Sequence, residues 1–193
     1  MSNELYKSNS FKGYSLWLSP SPDLPVNGLL QTLITKASES LNSPNFQPHV
    51  TLLGAIEATA EEVIKNTQEL VTKLQATSIH LEFDQIAVGD AYFQSVLWKV
   101  ANNENTKVLR EVNQLARKFF DKEKEPIFYP HLSLVYGDFT HEQRLAIRDR
   151  ILLGDFGNLN EQENLDFQVD RILIVDTEGK PHEWKLIAEI MLN

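Results

Sequence analysis

A seven-residue pattern occurs twice in this chain. Phe46-Gln47-Pro48-His49-Val50-Thr51-Leu52 and Phe128-Tyr129-Pro130-His131-Leu132-Ser133-Leu134 share the form Phe-x-Pro-His-apolar-hydroxyl-Leu. Alternate residues of a strand face opposite sides. His49 and Thr51 therefore point one way, and Val50 and Leu52 the other. The same holds for His131 and Ser133 against Leu132 and Leu134. If the two copies face each other, two imidazoles and two hydroxyls converge on one point. An acid, a base and two neutral donors are the parts needed to hydrolyse a phosphate ester without a metal.

Plainer readings explain one copy well and two copies poorly. A lone His on a strand is usually a satisfied structural histidine, and Pro-His can simply mark a strand start. Packing gives no reason for the same His-x-hydroxyl spacing to appear twice. A metal site built on two His lacks a matching set of ligands. There is no His-Glu-x-x-His pattern, and hydroxyls at i+2 are poor ligands for zinc. The other histidines carry no such context. His80 alternates with strand residues, His141 falls in a helix first turn and His182 follows Pro181 in a loop. None is assigned to catalysis.

At 193 residues the chain fits one domain, 1–193, made of two similar halves. The net charge is −9, with no cluster of Lys and Arg. Long nucleic acid is thus an unfavourable partner, because neutralising many phosphates needs clustered cations. A small phosphorylated substrate stays compatible, since a pocket can be locally positive inside an acidic protein. No apolar run is long enough to span a membrane. Met1–Lys7 lacks the basic and apolar regions of a secretion signal. Cysteine is absent, which excludes thiolate chemistry and suits a reducing compartment. A cytoplasmic monomer without cofactor or metal is expected.

Periodicity sets out an α+β order of elements. Phe11–Ser19 reads as a strand. A helix carries Leu29, Leu30, Leu33, Ile34, Ala37 and Leu41 on one face, and Asn42–Asn45 breaks it. The first motif strand covers Pro48–Ile56. Thr59-Ala60-Glu61-Glu62 is a capping box for a helix burying Val63, Leu70, Val71 and Leu74. Strands are expected at Ile79–Val88 and Tyr92–Val100, and a helix at Asn105–Phe120 with Val108, Val112, Leu115 and Phe119 inward. The second motif strand covers Pro130–Tyr136. Thr140-His141-Glu142-Gln143 caps a short helix to Leu152, followed by a polar loop, 154–164. Phe167–Val175 and Trp184–Met191 close as a hairpin across Glu178-Gly179.

Two H-x-[ST]-apolar motifs half a chain apart resemble the 2H phosphoesterase superfamily, and within it the plant and fungal cyclic phosphodiesterases. Tyr14-Ser15-Leu16-Trp17, the aromatic-Gln stretch Tyr92–Val96, the strand Arg171–Ile174 and Trp184-Lys185-Leu186 are similar to further parts of that family. The resemblance implies a bilobal fold, with two antiparallel sheets and outer helices related by an approximate two-fold around a cleft. It implies hydrolysis of ADP-ribose 1″,2″-cyclic phosphate to ADP-ribose 1″-phosphate, a step in handling tRNA-splicing by-products. It also implies opening of nucleoside 2′,3′-cyclic phosphates to 2′-phosphates. The cysteines of the plant relatives are missing here, so a redox control does not carry over.

On this reading His49 and His131 are the catalytic pair, with His131 taken as the base and His49 as the acid. Residue chemistry alone accommodates either order. Thr51 and Ser133 would donate to the non-bridging phosphate oxygens. Trp17, Phe93 and Tyr136 would border the cleft and let a base or ribose stack, although Trp17 and Phe93 equally suit a core. Two other functions stay open. One is an RNA-terminal 2′,3′-cyclic phosphodiesterase or 2′,5′-ligase-like enzyme; the other is a nucleotide-binding module without catalysis.

Overall fold

A computed structural model describes residues 10–74, 76–157, 159 and 165–192. Met1–Lys7, and positions 158 and 160–164 of the expected polar loop, lie outside the described residues. Nine strands and four α-helices follow one another in the described chain. They are β1 (Tyr14–Leu18), α1 (Pro25–Leu41), β2 (Val50–Ile56), α2 (Ala60–Lys73), β3 (Ile79–Leu81), β4 (Phe83–Val88) and β5 (Val96–Val100). Then come α3 (Lys107–Phe119), β6 (His131–Val135), α4 (His141–Leu152), β7 (Phe167–Val169), β8 (Arg171–Asp176) and β9 (Lys185–Met191).

The helix ends follow from local chemistry. Pro25 opens α1 at its first position, where its missing N–H costs nothing. Asn42 ends it in the left-handed region, φ 51°. Both expected capping boxes form. Glu62 N–H donates to Thr59 Oγ1, and Thr59 N–H returns a bond to the Glu62 carboxylate. Thr140 and Gln143 do the same for α4.

Seven strands form one antiparallel sheet in the order β4-β5-β6-β2-β1-β8-β9, and β3 pairs with β7 in a separate ribbon. The expected pair of sheets is therefore drawn differently. The two motif strands, β2 and β6, lie side by side at the centre and share a single register pair, Val50 with Leu132. The helices cross that seam: α1 packs on β6, and α3 on β2. Helices α2 and α4 cover the outer strands, α2 against β8 and β9, and α4 against β4 and β5.

Four further expectations shift. The strand expected at Ile79–Val88 breaks at Glu82. Its carbonyl accepts from Ala101 N–H, and its carboxylate is held by the Asn103 and Asn105 amides. That turns the chain from the β3 ribbon into the main sheet. Tyr92–Gln94 is a 3₁₀ turn rather than the start of β5. Gly89 N–H meets Gln94 O there, and a Cβ on Gly89 would lie 2.4 Å from that oxygen. The run Phe167–Val175 likewise divides at Asp170, whose carbonyl takes Leu192 N–H. Helix α3 buries Val112 as expected, but together with Leu109, Asn113 and Ala116, while Val108, Leu115 and Phe119 are only partly buried against the core. It is wedged between β2 and α2, so its inward stripe is set by two neighbours.

Candidate active site

Residues directly opposite in an antiparallel pair share a face. The Val50–Leu132 register therefore sets His49 across from Ser133 and Thr51 across from His131, all on the same side. The imidazoles occupy one diagonal of this square, roughly 7–8 Å apart at the backbone. The hydroxyls occupy the other. All four line a cleft of about 340 Å³.

Each imidazole is oriented by main chain. His49 Nδ1–H donates to Gln47 O at 2.7 Å, and His131 Nδ1–H donates to Tyr129 O at 2.8 Å. A carbonyl can only accept, so each ring carries its proton on Nδ1 and leaves Nε2 as the reactive nitrogen. The repeated proline explains the repeated geometry. A residue preceding Pro is pushed into the extended region, so the carbonyls of Gln47 and Tyr129 are presented alike to the side chain two residues on.

The two histidines are not equivalent. His49 is 5% exposed, and its ring stacks flat on the Trp17 indole, centroids 3.6 Å apart and planes 7° apart. His131 is less enclosed and has the Tyr129 ring tilted beside it at 5.7 Å. Burial lowers both imidazole pKa values, against the pull of the carbonyl bonds. His49 falls to about 4, with the charge of His131 adding to the effect.

The hydroxyls differ as well. Ser133 Oγ–H donates to Phe93 O at 2.9 Å, and the same hydroxyl is hydrogen-bonded with the Tyr136 phenol, which leaves it one lone pair. Thr51 has no bonded partner for its hydroxyl among the described residues, so its proton is available. Tyr136 lies beside Ser133, and burial pushes its phenol well above the ordinary value.

The three aromatics expected as a stacking platform do line the cleft, but they are packed together. Tyr136 stacks on Phe46 at 3.8 Å and meets Phe93 edge-on at 5.1 Å. Phe93 and Trp17 each contact Trp184, at 5.9 and 5.6 Å. One face of Trp17 is already occupied by His49. The sequence predicts apolar strands for Trp17 and Phe93, where packing is the commoner fate, and the end of a motif strand near the cleft rim for Tyr136; all three pack against other rings. The more open ring at the cleft is Tyr129, 48% exposed.

Sequence reasoning passed over several lining residues. Trp184 closes the aromatic wall, Asn113 and Arg117 reach in from α3, and 125–129 forms the far rim. Asn113 and Arg117 stand at i and i+4 on one helix, a spacing that could have flagged a shared polar face. The two carbonyl acceptors were signalled by the Pro in each motif. Among the described residues, the one group arranged to hold a metal is His80, Glu82 and Asp166 at the β3–β7 ribbon. It is not part of the cleft lining.

A family model described as cyclic phosphodiesterase-like protein matches residues 12–192. The chain belongs to this family. It is a phosphoric diester hydrolase. Among similar proteins, the cyclic phosphodiesterase of Arabidopsis thaliana is 25% identical over 183 residues, spanning 93% of this chain and 95% of the relative. The 2′,3′-cyclic-nucleotide 3′-phosphodiesterase of Kluyveromyces lactis is 25% identical, spanning 94% and 99%. The fold is similar to that of Escherichia coli LigT in apo form, TM-score 0.60 at 11% identity, over 94% of this chain and 98% of that one. It is also similar to Kluyveromyces marxianus Usb1, TM-score 0.59 at 13% identity, over 96% and 100%. These likenesses establish an α+β, LigT-like fold.

Proposed function

We propose that the protein opens ADP-ribose 1″,2″-cyclic phosphate to ADP-ribose 1″-phosphate, and nucleoside 2′,3′-cyclic phosphates to 2′-phosphates, by acid–base catalysis between His49 and His131. The observation that carries this reading is the paired geometry. Two imidazoles on one diagonal each have Nδ1 anchored to a carbonyl, which leaves two Nε2 atoms to work on opposite sides of one phosphorus. The names of the plant and yeast relatives support the substrate class. The same proposal takes 1–193 as a single catalytic unit acting as a monomer, its halves related by an approximate two-fold. The strand order on either side of β2 and β6, and the crossed packing of α1 and α3, support the two-fold.

The burial asymmetry favours the opposite order of roles from the one expected from the sequence. His49 is the imidazole more strongly held neutral, so it serves as the base, and His131 as the acid. Water attacks phosphorus and gives a proton to His49 Nε2. The ring P–O bond breaks, and the departing alkoxide takes the proton from His131 Nε2. Ser133 lies across from His49 with its own proton committed to Phe93 O, so its lone pair accepts the second hydrogen of the attacking water. Thr51 donates to a non-bridging oxygen, where charge rises in the transition state. Trp17 acts through His49, by filling the space behind it. Among the described residues, no group of three ligands includes either catalytic histidine, and no step of the proposal calls for a metal. A ribose or base has the open face of Tyr129 to stack on.

The test is turnover of both substrate types in EDTA by wild type, His49→Ala and His131→Ala. Each substitution should lower the rate by about 10²–10⁴. Thr51→Ala should cost less, about 10–10³, for one hydrogen bond. The double His variant should be scarcely slower than either single one, because the pair acts as a unit. A folded single variant with wild-type turnover, or a wild-type activity that needs an added metal ion, refutes the mechanism. An oligonucleotide ending in a cyclic phosphate, assayed alongside, measures the RNA-terminal activity.

A further inference from the structure

The cleft is lined by more than the two motifs, and the wall contributed by α3 has a distinct chemistry. Among the described residues lining it, Arg117 is the only Lys or Arg. Its guanidinium donates through Nη1 to Glu125 O at 3.1 Å and through Nη2 to Pro126 O at 2.7 Å. Both acceptors are neutral carbonyls. Its Nε is buried without a partner, and no carboxylate pairs with it among the described residues. The nearby Glu125 carboxylate is itself engaged by Lys122. Every Arg–carboxylate pair in the described chain lies elsewhere, at Arg148, Arg150 and Arg171. A protein of net charge −9 thus keeps one cation without a counter-ion on the wall of its reaction cleft.

One turn earlier on α3, Asn113 is buried and lines the same wall. Its Nδ2 is committed to Leu52 O at 2.7 Å, which fixes the carboxamide and leaves Oδ1 as an acceptor. Arg117 supplies a fixed charge with N–H groups to spare, and Asn113 an adjacent acceptor for a hydroxyl. Tyr129, the open ring of the cleft, lies beside His131 in the same lining.

We propose that Arg117 and Asn113 form a second subsite that takes a phosphate or diphosphate carried by the substrate away from its cyclic phosphate. This rests on the cyclic-phosphodiesterase reading above and adds a preference. A nucleotide carrying a 5′-phosphate or a 5′-diphosphate is favoured over a bare nucleoside 2′,3′-cyclic phosphate. Arg117 is a specificity residue and touches no reacting atom.

The test compares two substrates that differ in one group, uridine 2′,3′-cyclic phosphate and its 5′-phosphorylated counterpart. Both kcat/KM and calorimetric Kd are measured for wild type, Arg117→Gln and Arg117→Lys. The wild-type preference for the 5′-phosphorylated compound should collapse about 10- to 100-fold in Arg117→Gln, the size of a hydrogen bond to a charged group, and should be partly kept in Arg117→Lys. If Arg117 only braces the 125–126 loop, the two substrates lose rate in parallel and the ratio stays put, which overturns the proposal. Salt dependence of the wild type gives an independent sign. A local cation makes the preference fall as ionic strength rises. Without one, the acidic protein repels the added phosphate, and salt makes the preference rise. If the wild type turned over neither compound, the functional reading would fail, while the two Kd values would still decide the subsite.

Discussion

At the scale of single residues the two imidazoles set the pH behaviour. The base must be neutral, and His49 is neutral down to about 4. The acid must be protonated, and burial holds His131 below its ordinary value near 6.5. The profile of kcat/KM reports the free enzyme, so its optimum should fall between about 4 and 6.5 rather than at neutrality. His49→Ala should remove the acidic limb, and His131→Ala the alkaline one. Limbs that vanish in the opposite pairing would restore the sequence-based order of roles. The same burial predicts acid sensitivity of the fold. Between pH 6.5 and 4 the unfolded chain binds a proton at this position that the folded protein refuses, so stability falls as pH falls. The loss is about 3 kcal/mol at most for a shift of this size. Thermal melts of wild type against His49→Gln, taken across that range, should differ in slope by this contribution. Trp17→Ala belongs here too. Removing the ring that covers His49 admits water, so the acidic limb should move upward toward 6.5.

At the scale of elements, the capping boxes offer the cleanest stability test. Thr59→Ala removes the acceptor for Glu62 N–H and should cost about 1 kcal/mol in denaturant unfolding, with cyclic-phosphate turnover unaffected. These boxes were readable because Thr-x-x-Glu and Thr-x-x-Gln need only neighbours in sequence. The motif strands were readable for the same reason. What escaped was set by partners far along the chain. The break at Glu82 depends on Asn103, Asn105 and the Ala101 amide, and the inward face of α3 depends on β2 and α2 together. The sequence also offered three aromatics as a platform without showing that they would pack against His49, Phe46 and Trp184. The four motif side chains were legible as a set because each repeat carries its own spacing. Arg117 and Asn113 were not, since their place in the cleft comes from α3 crossing the seam.

At the scale of the whole molecule, an acidic chain encloses one cleft whose described lining holds a single Lys or Arg. Few counterions are released by a ligand held this way, so binding of a mononucleotide cyclic phosphate should show a salt slope of about −1 or shallower. A steep slope, with strong preference for long RNA ends, would instead indicate a polymer track along the surface. The peptide acceptors behind the two imidazoles have a different consequence, for how such an enzyme can change. Any side chain at 47 or 129 offers the same carbonyl, provided Pro48 and Pro130 hold the backbone extended. The copies already differ there, Gln in one and Tyr in the other, without altering the clamp. Of the two, Tyr129 lines the cleft, so a library randomised at 129 explores new substrates while the proton-transfer machinery stays intact.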